Sequence, residues 1–294
     1  LDGSSAASDV YKRQLLNHYL IIVLGCLLSR ESLSMIQNHQ SQSNHLAISS
    51  GAYLKALSNF PTTLTEILEQ VTIKTKGDCL IYLNRQGNVR TQSYQQLRLN
   101  AERVLGGLRQ KGFQPKNLVI LLLEDHRDLL SGFWGCILGG FIPLILDLPS
   151  HQETPATLVK LTYLLQVYDQ AFIILSHQRR DLISTITAEK KHHQFIFFEE
   201  LNQAQADSSY HQSQPDDVAF LTLSSGSTGK PKCIQLSHLN LIFRGRGTNI
   251  FNQHSPDDII LNWLPFEHIG SISDWHLRCV CLLYTSDAAD EPSS

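Results

Sequence analysis

The 294-residue chain is 42% apolar and 17% charged, with a formal net charge of −3. This is the composition of a soluble globular protein, and it lacks the clustered Lys and Arg of a nucleic-acid binder. Six cysteines form no C-x-x-C pair, and none of the thirteen histidines pairs with Cys or carboxylates at zinc spacing. Free thiols in a reducing, cytoplasmic compartment are therefore expected, rather than a disulfide framework or a zinc site.

Residues 1–34 precede the only methionine, Met35. The apolar run 15–28 is interrupted by Asn17, His18 and Tyr19 and is shorter than the ~20 residues of a membrane span, so no span is expected. Lys12 and Arg13 before the run leave a signal peptide open. The preferred reading makes Met35 the start and 1–34 a non-native leader. Ser4–Gln14 and Cys281–Glu291 resemble translated sequencing-adapter read-through. Residues 279–294 are accordingly expected to be a non-native tail that packs poorly. Residues 35–60, rich in Gln, Ser, Asn and His, read as a flexible leader.

Thr63-Leu64-Thr65-Glu66 is a capping box opening an amphipathic helix with Leu64, Ile67, Leu68 and Val71 on one face. Residues 79–83 and 89–92, joined through Asn84–Asn88, predict a β-hairpin. Ser93 and Gln96 make a second capping box, for a helix to about Lys111 with Gly112 just beyond its end. Alternation follows: strand 118–123, helix 127–138 ended by Gly139-Gly140, strand 141–146, helix 154–167, strand 171–175, helix 179–188 and strand 195–198. Strands alternating with helices of this length predict βαβ units on a parallel sheet buried on both faces. Residues 203–217 are polar and read as a loop. Residues 218–223 are a strand, Ser237 caps a helix through Phe243 and beyond, Asp257-Asp258 marks a turn, and 259–264 is predicted as another strand. Trp263 and Phe266 are expected in the core.

Strand 218–223 runs into Ser224-Ser225-Gly226-Ser227-Thr228-Gly229-Lys230-Pro231-Lys232. Glycines permit left-handed backbone and close approach. Successive N–H groups in such a loop form an anion-binding concavity, and hydroxyls and ammonium groups add donors suited to phosphate oxygens. A Walker A loop does not fit. Ser224 stands where its first glycine belongs, and Pro231, which has no N–H, stands where its Ser or Thr belongs. The plain alternative is a Gly/Ser surface turn.

These nine residues resemble the signature of the adenylate-forming superfamily, which includes acyl-CoA synthetases, fatty-acyl-AMP ligases and the adenylation domains of nonribosomal peptide synthetases. Cys233 replaces that signature's usual final glycine. Gln92–Leu97 resembles the motif Thr-Tyr-x-Glu-Leu, Ile137–Leu144 the motif Gly-x-Ala-Tyr-x-Pro, and Asn262–Ser271 the motif Trp-Leu-Pro-x-x-His-x-x-Gly of the acyl-AMP ligases. The motifs stand in the family's order across residues 60–278. The resemblance implies an α/β fold: a truncated N-terminal adenylation domain over 61–278, with largely parallel sheets flanked by helices.

The resemblance also implies a chemistry. A small carboxylic acid attacks the α-phosphate of ATP, giving acyl-AMP and pyrophosphate, and a thiol then takes the acyl group. That thiol is CoA or the phosphopantetheine of an acyl- or peptidyl-carrier domain. Mg²⁺ accompanies the nucleotide. Ser224 to Lys232 would hold the phosphates, with Ser225, Ser227 and Thr228 as hydroxyl donors and Gly226 and Gly229 allowing approach. Lys232 would contact phosphate, and Lys230 would face solvent. His268 would border the acyl pocket as the catalytic-site residue; its plainer reading is a half-buried histidine bonded to a loop. Amino-acid-activating domains carry Phe-Asp-x-Ser where this chain has Phe266-Glu267-His268-Ile269, which points to a fatty, hydroxy or other non-amino acid. The alternatives are an amino-acid-activating domain and a non-catalytic nucleotide-binding module. The adenine-capping and ribose motifs and the C-terminal catalytic Lys do not occur, so the chain alone is expected to be inactive.

Overall fold

The computed structural model describes residues 60–84, 87–147, 155–168, 170–186, 194–224 and 232–285. The expectations for 1–59 and 286–294 lie outside the described residues.

Helix α1 (Leu64–Lys74) starts at Thr63, whose hydroxyl accepts the Glu66 N–H while the Glu66 carboxylate accepts the Thr63 N–H. Leu64, Ile67, Leu68 and Val71 are buried, as the period of 3.6 demands. Strands β1 (Leu80–Leu83) and β2 (Val89–Gln92) form an antiparallel hairpin apart from the main sheet. Helix α2 (Tyr94–Gln110) is capped by Ser93, but the predicted reciprocal bond is not seen; the Gln96 amide donates to Asn100 instead. Then come β3 (Leu118–Leu122), α3 (His126–Gly139), β4 (Ile142–Ile145), α4 (Pro155–Val167) and β5 (Phe172–Leu175). A 3₁₀ turn (His177–Arg179), α5 (Asp181–Ile186), β6 (Gln194–Phe197) and α6 (Phe198–Asn202) lead to β7 (Val218–Ser224), β8 (Lys232–Ser237) and α7 (His238–Asn252). Gly140 ends α3 at φ +67, a left-handed conformation favourable to glycine.

The six-stranded sheet has the order β6-β5-β3-β4-β7-β8, parallel from β6 to β7. Its two faces can be read from β3, where all five residues are buried. Val119 and Leu121 enter the core shared with α1, α2, α3 and α7, whereas Leu118, Ile120 and Leu122 enter the core under α4 and α5. Period-2 alternation within a wholly apolar run thus feeds two helical layers.

Four expectations are corrected. Residues 259–264 form no strand: Ile259 is 95% and Trp263 60% exposed. The segment has the alternation of a strand but no paired neighbour among the described residues, and a ladder needs two. Trp263 is consequently not core, while Phe266 is buried as expected. The helix expected from 179 starts at Asp181, after the 3₁₀ turn, and residues 187–188 lie outside the described residues. Finally, the tail expected to pack poorly from residue 279 is packed as far as Leu283. A π-helical stretch (Ser271–Leu277) continues into α8 (Arg278–Thr285), whose Val280 and Cys281 are fully buried in the larger core. Elements β8 and α6 were not predicted.

The α2–α3 contact depends on Gly135. A Cβ there would lie 2.6 Å from Val104 Cγ1 and 3.0 Å from the Ala101 carbonyl oxygen. Gly→Ala in an open helix position normally stabilises. Here the added methyl overpacks the interface, so Gly135→Ala is expected to lower stability by about 1–3 kcal/mol. A urea midpoint equal to or above wild type would refute this.

Candidate active site at the carboxyl edge of the sheet

Parallel strands send all their carboxyl ends to one edge, where ligands bind in open α/β sheets. Strand β7 leaves that edge at Ser224. Its neighbour β4 is followed by Leu146 and Asp147. Leu144 and Leu221 are register partners, so Asp147 and Ser224, three residues further along each chain, leave at the same level.

Of the predicted phosphate-binding residues, Ser224 and Lys232 are described. The structure brings them together as register partners of the antiparallel pair β7–β8, so the intervening segment connects two adjacent strands. Ser225, Gly226, Ser227, Thr228, Gly229 and Lys230 lie outside the described residues. Lys232 is exposed at the first position of β8, and no acidic partner for it is found among the described residues. Such a cation at the mouth of the loop suits a polyanion.

The turn 265–270 reaches the same edge from the far end of the chain. Its backbone is closed by His268 N–H donating to the Pro265 carbonyl (3.0 Å) and Ser271 N–H donating to the His268 carbonyl (2.9 Å). Phe266 is buried and meets the His126 ring edge to face, with centroids 4.9 Å apart. Glu267 fixes the turn to the sheet: one carboxylate oxygen accepts the Asp147 N–H at 3.1 Å, and the other is paired with the Lys160 ammonium from α4. The His268 side chain is exposed and close enough to Asp147 to act on its charge. This replaces the half-buried alternative with a histidine facing solvent at the sheet edge.

The electrostatics follow from burial. The Asp147 carboxyl is raised above the usual carboxylate range by desolvation and then by the Glu267 charge, with His268 and Lys160 opposing. Asp128, in the first turn of α3, is pushed up to about 6 by burial and by Asp125 and Glu199. A perturbed carboxyl such as Asp147 at a ligand-binding edge is a recurrent property of active sites. Sequence reasoning did not find Asp147 or Lys160. Asp147 stands three residues beyond the quoted motif Ile137–Leu144, and that proximity was the available signal; Lys160 sits on a helix with none.

A cavity of about 170 Å³ opens at the opposite edge, lined by Lys116, Gly140, His211, Asp217, Val218 and His238. It is smaller than the ~300 Å³ lower bound of typical ligand pockets and lies at the amino ends of the strands, away from Ser224. Among the described residues no helix is long and apolar enough to cross a membrane.

Comparison with known proteins places this architecture. The atromentin synthetase of Tapinella panuoides is 25% identical over 236 residues, covering 77% of this chain and 24% of that protein. The adenylation domain of a keto acid-selecting NRPS module, solved bound to keto acyl adenylate, is 30% identical with a TM-score of 0.70 over 76% of this chain and 41% of the other. The McyG A-PCP structure complexed with phenylalanyl-adenylate is also 30% identical, with a TM-score of 0.71 over 78% and 41%. The chain therefore spans about a quarter of the synthetase's length and two fifths of each solved chain. The AMP-binding enzyme family model matches residues 69–285, well over half of the sequence. The sheet, the strand–loop–strand unit at Ser224–Lys232 and the turn carrying His268 are thus those of a chain that belongs to the AMP-binding enzyme family.

Proposed function

We propose that residues 61–285 are part of a longer ATP-dependent ligase that converts a carboxylic acid to acyl-AMP and passes the acyl group to a thiol. The observation that carries this reading is the convergence of two sequence-distant motifs. The ends of the Ser224–Lys232 segment and the turn bearing His268 meet the carboxyl ends of neighbouring strands β7 and β4.

ATP supplies the phosphorus that the acid attacks. In this chain the hydroxyls and amides of Ser224 to Thr228 would bind phosphate oxygens, with Gly226 and Gly229 letting the backbone approach. Lys232 would offset the charge of the departing pyrophosphate, with Lys230 toward solvent. His268 would stand beside the acid's carboxylate and hold it in line. Phosphoryl transfer depends mainly on this positioning and charge stabilisation. Mg²⁺ would come with the nucleotide. Among the described residues no group of three His, Cys or acidic side chains could hold it.

The acid is a fatty, hydroxy, keto or other non-amino acid, supported by the Trp263-Leu264-Pro265 and His268 frame and by Glu267 standing where amino-acid-activating relatives have Asp. The acceptor is CoA or a carrier-bound phosphopantetheine; a carrier domain is consistent with the A-PCP pairing in McyG. Pyrophosphate exchange by the full-length enzyme, measured across carboxylic acids, tests the reading. Exchange with at least one non-amino acid is expected, and none with any acid would refute it.

A further inference from the structure

We propose that Lys160 is a specificity-determining residue: it is the internal counter-ion of Glu267, and it thereby selects an acid that carries no ammonium group. The inference rests on the acid-activating reading above and adds a residue and a physical cause to it.

A site that accepts a substrate ammonium needs a carboxylate whose charge is not already compensated. Glu267 adjoins His268 and is the nearest carboxylate in sequence, but both of its oxygens are engaged. Oε2 accepts the Asp147 N–H at 3.1 Å, and Oε1 is paired with Lys160. The pair is sheltered, with side-chain exposures of 16% for Glu267 and 30% for Lys160, so water and salt screen it less than a surface bridge. Lys160 is also held by a rigid element. The next turn of α4 buries Leu161, Leu164 and Leu165 in the core beneath the sheet, which places the ammonium without ordering a loop. An incoming ammonium would have to displace this built-in cation or sit beside it, and like charges in a sheltered site repel. An acid with a neutral hydroxyl, keto or alkyl group meets no such obstacle.

Removing Lys160 should reverse the selection, because Glu267 would then keep a half-buried anionic oxygen without its cation. The test uses the full-length enzyme and a matched set of acids differing only at the α-carbon: α-H, α-hydroxy, α-keto and α-amino. Wild type is expected to exchange pyrophosphate with one or more of the first three at higher kcat/KM than with the amino acid. In Lys160→Met the amino-to-non-amino ratio of kcat/KM should rise at least about tenfold, the amount that 1.4 kcal/mol of differential binding produces. The rise should come through a lower KM for the amino acid. Lys160→Arg should keep the wild-type preference, and Glu267→Gln added to Lys160→Met should cancel the gain. A general packing defect would lower all four acids together and leave the ratio fixed, and that result overturns the proposal. So does a wild type that prefers the amino acid, a comparison that decides the matter even if the Met variant does not fold. Failure of every acid in the wild type would instead remove the acid-activating reading itself.

Discussion

Lys232→Ala in the full-length enzyme is expected to weaken ATP binding or turnover roughly 10- to 150-fold. The side chain is exposed at the first residue of β8, opposite Ser224 and at the carboxyl end of β7. Among the described residues it has no acidic partner, so its charge is available to a ligand. A charge-assisted hydrogen bond to phosphate contributes about 1.5–3 kcal/mol, and each 1.4 kcal/mol is a factor of ten. Gly229→Val should do at least as much damage, since a β-branched side chain blocks close approach of the backbone and disfavours left-handed conformations. The measurement is the ATP concentration dependence of pyrophosphate exchange. Wild-type ATP kinetics in both variants would show that the loop does not hold the phosphates. Circular dichroism of each variant separates this from misfolding, because Lys232 lies outside both cores and its loss should leave the fold unchanged.

The parallel sheet was legible because its strands are short continuous apolar runs separated by capped helices. The hairpin, β3, β5, β7 and the caps at Thr63, Ser93 and Ser237 agree with expectation to within a residue or two. Elements whose identity depends on tertiary partners were harder to read. Strand β8, Lys232–Ser237, mixes exposed and intermediate positions and is a strand because β7 lies beside it. Residues 259–264 carry a better strand pattern yet stay unpaired. Intrinsic β-preference largely reports packing against neighbours, and a single sequence does not state where the neighbours are. Helix α8 was misjudged for a different reason. Its adapter-like composition carries no packing information, whereas Val280 and Cys281 find complementary surface on α1 and α7.

The candidate site divides in the same way. The phosphate loop and His268 could be named because their chemistry is local: glycines, hydroxyls and cations within nine residues, and a histidine in a Trp-Leu-Pro frame. The Glu267–Lys160–Asp147 arrangement joins Glu267 to residues 107 and 120 positions away in the chain. Its meaning comes from which oxygens are already occupied, and residue identity alone does not report that. Read without Lys160, Glu267 looks like a free anion; with it, the turn is locally neutral.

Acidification should destabilise the fold through two buried histidines. His238 is 2% and His276 7% exposed, and burial pushes both rings down to about 4. Each ring also uses a nitrogen lone pair: His238 Nδ1 accepts the Leu64 N–H at 3.1 Å, closing the first turn of α1, and His276 Nε2 accepts the Trp134 Nε1–H at 2.9 Å. A protonated ring could accept neither bond. In the unfolded chain both histidines titrate near the ordinary ~6.5. Above that pH neither state holds the extra protons, and the two rings make no difference to the pH dependence. Between about 6.5 and 4 the unfolded state binds more protons, so stability falls as pH falls, by about 1.4 kcal/mol per pH unit for each histidine. At pH 5 the two together remove roughly 4 kcal/mol, a large part of a typical 5–15 kcal/mol total. Asp128, pushed up to about 6, acts in the opposite sense, since the folded state binds its proton first. The histidine variants therefore isolate the effect better than the overall slope does. His276→Gln and His238→Asn can each offer a carbonyl oxygen to the same donor and do not titrate. Urea midpoints between pH 7 and 5 should fall less steeply for each variant than for wild type, and least for the double variant. Slopes indistinguishable from wild type would mean that the two histidines are protonated in the folded protein and that the Leu64 and Trp134 bonds do not form as drawn.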